Sequence, residues 1–395
     1  MKTEPKPPIR VLHVITRLIV GGAQENTMYT AAMLDKGRFE VDVVSGEQTG
    51  SEGSLIEEVV QHGVPLTLMP QLVRQVSPSN DLRALWNLYH LMRSHRYSIV
   101  HTHSSKAGIL GRLAARLAGV PVIIHTVHGW SFHEHMTPRT RRMYVLLEKL
   151  AASLTDAMIV VTRQDIQKGL REGIGKEERY HLIRSAIPLE EFDPQLVDRA
   201  EVRKELGLPL DALVLGNIGR FSPQKNPLEW IRVAAKVAKK QPGARFLLVG
   251  DGPLRSQVEA ALLEADLSEK TVLTGLRRDV PRMLAAMDVF LLTSLWEGLP
   301  RVIPQAMAMG IPVVANRADG TADAIQPGKT GYLCEPGHLD EMAAFCVTLL
   351  HDPLSRREMG ARGQVHSRLE FDLRMMVKQI EGLYEELLNK KGLYV

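Results

Sequence analysis

Cysteine is nearly absent: Cys334 and Cys346 are the only two in 395 residues. No disulfide framework can hold such a chain, and so few thiols suit a reducing compartment. The sequence permits a bond between the two but does not demand one. Long apolar runs are also missing, and none approaches the ~20 residues needed to span a bilayer. Residues 1–8 are polar and proline-rich, without the apolar core of a signal peptide, so a cytoplasmic protein is expected. No RNP-like aromatic motif, zinc-finger spacing or long basic tail occurs, and nucleic acid is not an expected partner. The turn at Gly21-Gly22 lacks a third glycine at dinucleotide spacing, which argues against an NAD site.

Against these absences stand 45% apolar and 24% charged residues, the balance of a globular chain with ample core material. At this length two domains of roughly 150–200 residues are expected. The net charge of +4 hides a local imbalance. Residues 71–150 hold eleven Lys and Arg against three acids, together with eight of the fourteen histidines. Part of this charge is the ordinary solvated face of helices. The rest would attract an anionic membrane surface or an anionic acceptor.

Short β-branched runs alternate with helical patterns, which argues for parallel sheets covered by helices. In the first half the expected strands are 10–16, 40–45, 66–69, 98–103, 122–127 and 157–162. In the second they are 213–219, 245–249, 271–274, 288–293 and 312–315. Apolar positions recur at helical spacing over 82–93, 143–150, 228–239 and 254–265. The proline-containing, acidic stretch 188–197 reads as a linker. A last helical pattern covers about 373–388. Each half reads as an α/β doubly wound sheet, giving domains at 1–192 and 193–372.

Residues 294–315 are the most informative stretch. Glu297 falls where a buried strand ends, Pro300 and Pro304 fit only near a helix start, and Gly310 closes the short helix. A carboxylate and a helix N-terminus thus meet at the carboxyl edge of a parallel sheet, where open α/β sheets bind ligands. The alternative reading of Glu297 is a simple cap on the helix after it. Gly219-Arg220-Phe221-Ser222-Pro223-Gln224-Lys225-Asn226-Pro227 follows another strand, and its two cations suit a diphosphate whose charge grows as a bond breaks. Gly21 and Gly22 let backbone N–H groups approach a phosphate or sugar, unless they serve the turn alone. Val249-Gly250-Asp251-Gly252-Pro253 reads as structural, with Asp251 as a cap. His125, His128 and His133 suggest metal, but no Cys or acid cluster at ligand spacing accompanies them, so no metal site is expected.

These motifs resemble the retaining GT-B glycosyltransferases of the GT4 family, as found among bacterial polysaccharide and glycolipid enzymes. The resemblance covers nearly the whole chain and implies two Rossmann-like domains facing a central cleft. The first would be the acceptor side and the second the donor side, with the helix at about 373–395 packing back on the first. It implies a nucleotide-sugar donor, expected to be UDP-linked, and a lipid-linked or saccharide acceptor, with the enzyme peripheral on the inner face of the plasma membrane. Arg220 and Lys225 would stabilise the leaving diphosphate, Glu297 would position the sugar and His128 would contact it. Gly21, Gly22 and Gly219 would lie beside the donor, with the amides of Gly298 and Leu299. The loop of Leu276 and Arg277 would hold the base, and Gln305 the ribose. The chain has no Asp-x-Asp, the metal-holding motif of the other large glycosyltransferase fold, so no metal or other cofactor is expected.

Three departures from the family pattern stand out. Gln305 replaces a glutamate; losing charge assistance to the ribose diol costs about 1–2 kcal/mol, roughly tenfold in affinity. Ser185-Ala186 stands where Asn-Gly is usual, and Asp319-Gly320 where Gly-Gly is. Two rival readings follow: a UDP-GlcNAc 2-epimerase, whose acid and base carboxylates have no evident counterpart here, and a non-catalytic nucleotide-sugar-binding protein.

Overall fold

Seven strands form the first sheet: β1 (Ile9–Arg17), β2 (Phe39–Gly46), β3 (Leu66–Leu68), β4 (Ile99–His103), β5 (Val122–Val127), β6 (Ala157–Val160) and β7 (Tyr180–Leu182). They are seen in a computed structural model that describes residues 7–393 apart from 49, 51 and 135. Their order is β3-β2-β1-β4-β5-β6-β7, and all pair in parallel. Six more strands, β8 (Val214–Ile218), β9 (Arg245–Val249), β10 (Thr271–Gly275), β11 (Val289–Leu292), β12 (Val313–Asn316) and β13 (Gly331–Cys334), form a second parallel sheet in the order β10-β9-β8-β11-β12-β13. β5, β6, β11 and β12 are buried along their whole length. That is why they read as near-continuous apolar runs rather than alternating ones.

The chain divides into two compact units, one running up to Ser185 and resuming at Leu373, the other Ala186–Asp372. The boundary expected at 192 therefore falls earlier. Ile187 N–H donates to the Phe371 carbonyl (3.0 Å) and pairs with Asp372 as a parallel bridge, while Arg301 Nε donates to the Ala186 carbonyl (2.9 Å). These bonds tie Ala186 and Ile187 into the second unit.

The helix Leu373–Lys390 completes the first unit, burying Leu373, Met376, Val377, Ile380, Leu383, Tyr384, Leu387 and Leu388. Its Tyr384 ring meets Phe39 edge-on, and its hydroxyl lies 2.6 Å from His101 Nδ1. In the second unit, Trp230, Val237 and Leu349 pack against Leu215, Phe246 and Leu291. β7 and β13 are three- and four-residue strands, too short to show a periodicity in the sequence. The expected cap at Asp251 is not formed. The helix Arg255–Glu264 begins beyond Leu254, and Asp251 instead accepts from the Gly252 N–H (2.7 Å).

On the first unit the helices Pro78–His95, Ser105–Ala118 and Pro138–Ser153 pack side by side. Their acids are engaged by neighbours: Asp81 with Lys106 (2.6 Å) and the buried Glu148 with Arg112 (2.8 Å). Arg83, Arg93, Arg116, Arg139, Arg142 and Lys149 are exposed. Between them lie exposed apolar side chains, among them Leu82, Trp86, Leu117, Leu146 and Leu150, each more than half exposed. No described helix is long and apolar enough to cross a membrane.

Candidate functional site

In the second unit the strand order reverses between β8 and β11, so the loops leaving these neighbours diverge and open a crevice at their carboxyl ends. The loop after β8 is zipped to the one after β9: Gly219 N–H donates to Val249 O (2.9 Å), Phe221 N–H to Asp251 O (2.9 Å), and Leu254 N–H to Phe221 O (3.0 Å). Glycine at 250 permits this contact. Its φ is 138°, and a Cβ there would sit 2.1 Å from the Gly219 carbonyl oxygen. The loop then turns into the helix Pro227–Lys240 through Asn226, which adopts the left-handed conformation at φ 50°.

This turn brings Lys225 onto Glu297. Its ammonium donates to Glu297 Oε1 in a short ion pair, with Glu297 buried and Lys225 about a quarter exposed. The segment after β11 is bound to the same loop. Leu295 N–H donates to Gln224 O (2.8 Å), and Gln224 Nε2 to Trp296 O (2.9 Å). Glu297 is thus a partner of Lys225, not the cap of the helix Val302–Ala308, which starts after Arg301. Gly298 is half-buried and Leu299 buried beside it, and Gln305 lies half-buried on that helix. Arg220 is exposed earlier in the same loop.

Under the turn lies a polar network that the sequence reading missed. Glu229 accepts from Asn226 Nδ2 (2.9 Å) and from Asn316 Nδ2 (2.9 Å). Asn316 also donates to the Thr293 carbonyl (3.0 Å), and the Thr293 hydroxyl to the carbonyls of Lys225 (3.2 Å) and Asn226 (3.0 Å). The Asn-x-x-Glu spacing at a helix start, close to a capping box, was the available signal.

The base-loop candidates part company. Leu276 follows β10 and is half exposed. The Arg277 guanidinium grips Asp279 (2.6 and 2.8 Å) and reaches Glu205 (2.9 Å), contacts that push its pKa up, Asp279 first. Of the departures, Ala186 is not among the positive-φ residues, so this backbone has no need of glycine there. Asp319 does take φ 38°, in the left-handed region that aspartate enters more readily than most residues.

In the first unit the order reverses between β1 and β4. Gly21 and Gly22 follow β1, with Gly22 opening the helix Gly22–Met33. Gly21 is extended at φ 173°. His13 on β1 lies opposite His101 on β4, and His103 is two residues further along. The three are buried, and each brings a ring nitrogen within 4.8 Å of the others. The sequence reading sought ligands around 125–133 and missed His13, whose signal was a polar residue inside an apolar strand.

Hydrogen bonds hold this cluster together. His13 Nδ1 and His103 Nε2 are 2.9 Å apart, and His103 Nδ1 and His128 Nε2 are 3.1 Å apart. His101 bonds Tyr384 through Nδ1 and Thr126 through Nε2 (2.6 Å). Burial lowers the pKa of His13 to about 3 and those of His101 and His103 well below the usual value, so all three rings stay neutral at ordinary pH. His128 therefore stands at the outer end of a row of neutral imidazoles.

The model of a "Glycosyl transferase 4-like domain" matches residues 21–185, and that of "Glycosyl transferases group 1" matches residues 198–366. The UDP-Gal:alpha-D-GlcNAc-diphosphoundecaprenol alpha-1,3-galactosyltransferase of Escherichia coli is 30% identical over 387 residues, spanning 97% of this chain and 98% of that protein. The capsular polysaccharide biosynthesis glycosyltransferase CapM of Staphylococcus aureus is 24% identical over 364 residues, covering 90% and 92%. Among solved structures, Anabaena HepE in complex with UDP-glucose superposes with a TM-score of 0.80 at 22% identity, over 95% of this chain and 99% of that one. Sucrose-phosphate synthase from Thermosynechococcus elongatus gives 0.83 at 20% identity, over 97% and 100%.

Proposed function

Because the chain belongs to the group 1 (GT4) glycosyltransferases of GT-B fold, we propose that it moves a hexose or N-acetylhexosamine from a UDP-sugar to a lipid-linked saccharide, retaining the anomeric configuration. The observation that carries this reading is the Lys225–Glu297 pair at the strand-order reversal of the second unit. The UDP donor and the lipid-diphosphate acceptor are supported by the name of the Escherichia coli relative, which the chain matches end to end.

In this reading the bond between the anomeric carbon and the β-phosphate oxygen breaks while the acceptor oxygen bonds to the same face. The acceptor proton passes to the departing phosphate oxygen, so no side-chain base is required. Lys225 and Arg220 face the charge that develops on the diphosphate, where preorganised cations contribute most. Glu297 accepts from sugar hydroxyls, the amides of Gly298 and Leu299 add donors, and His128 contacts the sugar. Gly21, Gly22 and Gly219 approach the donor through their backbones, the loop of Leu276 and Arg277 takes the base, and Gln305 takes the ribose. The cationic side chains replace a divalent ion, so EDTA should leave turnover unchanged. The exposed basic and apolar face of the first unit rests on the anionic cytoplasmic leaflet, where lipid-linked acceptors lie.

Replacing Lys225 with alanine should lower kcat at least about tenfold, as loss of a preorganised charge contact does; near-normal turnover would sink the assignment. UDP-sugars, but not GDP- or ADP-sugars, should raise the melting temperature.

A further inference from the structure

We propose that Glu229 and Asn316 are positioning residues for the Lys225–Glu297 pair. The proposal rests on the reading of Lys225 as the cation that meets the leaving group.

The backbone at Asn226 is left-handed, a conformation uncommon outside glycine that asparagine enters more readily than most residues. Three bonds hold it there. Its side-chain amide donates to Glu229 (2.9 Å), its carbonyl accepts from the Thr293 hydroxyl (3.0 Å), and its N–H donates to Ser222 O (3.0 Å). Lys225 is the residue before it, so its Cα direction is set by the same turn. The Thr293 hydroxyl also reaches the Lys225 carbonyl, and Thr293 opens the segment that carries Glu297. One network thus fixes the origin of both partners in the ion pair.

Its chemistry calls on both oxygens of the Glu229 side chain. Each Glu229 oxygen accepts from a different amide, Asn226 on one side and Asn316 on the other. The second Asn316 N–H serves the Thr293 carbonyl, so both of its donors are used. Glutamine at 229 can replace this arrangement if the Asn226 amide turns over to accept from the new NH2 group, whereas leucine removes both acceptors. Glu229 is 8% exposed, and Asn316 and Thr293 are each 1% exposed. The network therefore lies beneath the reacting groups and acts through Lys225.

The test is steady-state kinetics, corrected for folded fraction, with Lys225→Ala measured alongside. Glu229→Leu should lower kcat by on the order of tenfold, because misplacement of a charged group by about an ångström is costly. KM for the donor should change less than about twofold; loss of folded enzyme gives the same pattern, so kcat is expressed per folded molecule, counted by stoichiometric UDP titration. Glu229→Gln, in which the Asn226 amide turns over to accept from the new NH2 group while the glutamine oxygen accepts from Asn316, should retain most of the turnover as the conservative rescue. Thr293→Val removes only the hydroxyl that holds the Lys225 and Asn226 carbonyls, and should show the same loss of kcat should Glu229→Leu fold poorly. Normal kcat in Glu229→Leu or Thr293→Val, with Lys225→Ala impaired, overturns the positioning role and leaves the reading of Lys225 standing. Normal kcat in Lys225→Ala overturns that reading itself.

Discussion

A lysine that already faces a carboxylate meets a diphosphate differently from a lone lysine. The Lys225 ammonium has three donors, so it can hold Glu297 and still offer N–H groups to phosphate oxygens. The pair also orients the Glu297 carboxylate for hydroxyl groups. Gln305 sits half-buried on the next helix, where it supplies one acceptor oxygen instead of two. Gln305→Glu should tighten UDP binding about tenfold, measured by titration calorimetry, if the side chain holds the ribose. An unchanged Kd would remove that role. Lys225 and Glu297 were legible in the sequence because each ends a strand-like run, where ligand chemistry collects. Glu229, Asn316 and His13 were not, since each acts through a partner distant in the chain.

Among the elements, the three helices on the outer face of the first unit show how far periodicity reaches. The sequence places apolar residues at helical spacing over 82–93 and 143–150, yet Leu82 and Leu150 are 69% and 59% exposed. Spacing identifies a helix but not which of its apolar residues a neighbouring element covers. The basic excess was visible as a count. That Glu148, one of its balancing acids, is engaged beneath the surface was not, because the Arg112–Glu148 pair joins two different helices. A surface of this kind should hold an anionic bilayer through both contributions, roughly 1 kcal/mol per cation near the surface plus the buried apolar groups. The chain should therefore co-sediment with vesicles containing phosphatidylglycerol and much less with pure phosphatidylcholine. Trp86→Ala, Leu117→Ser and Leu146→Ser together should abolish sedimentation while leaving thermal stability unchanged. Equal binding by this variant would place the membrane contact elsewhere.

At the scale of the whole molecule, two parallel sheets were legible from the alternation of strand and helix patterns, whereas the unit boundary was not. It depends on Ile187 pairing with Asp372, a contact between residues far apart in sequence. The buried histidines of the first sheet set its response to acid. Burial depresses the pKa values of His13, His101, His103 and His125, so the unfolded chain binds more protons than the folded one below about pH 6.5. Stability is full above that pH and falls as acid is added, by about 1 kcal/mol per pH unit for each proton taken up. The urea midpoint should drop between pH 7.5 and pH 5. A flat profile would mean that the rings titrate normally in the folded protein.

The helix Leu373–Lys390 imposes an order of events on this molecule. Domains usually fold as they emerge from the ribosome, the first-made first. Here the first-made sheet lacks Tyr384, its partner for both Phe39 and His101, until the whole of Ala186–Asp372 has been synthesised. The unit encoded second has all its residues earlier than the unit encoded first. During that interval Phe39 and His101 of the nascent first sheet lack the helix that covers them, and the second unit can be complete before the first.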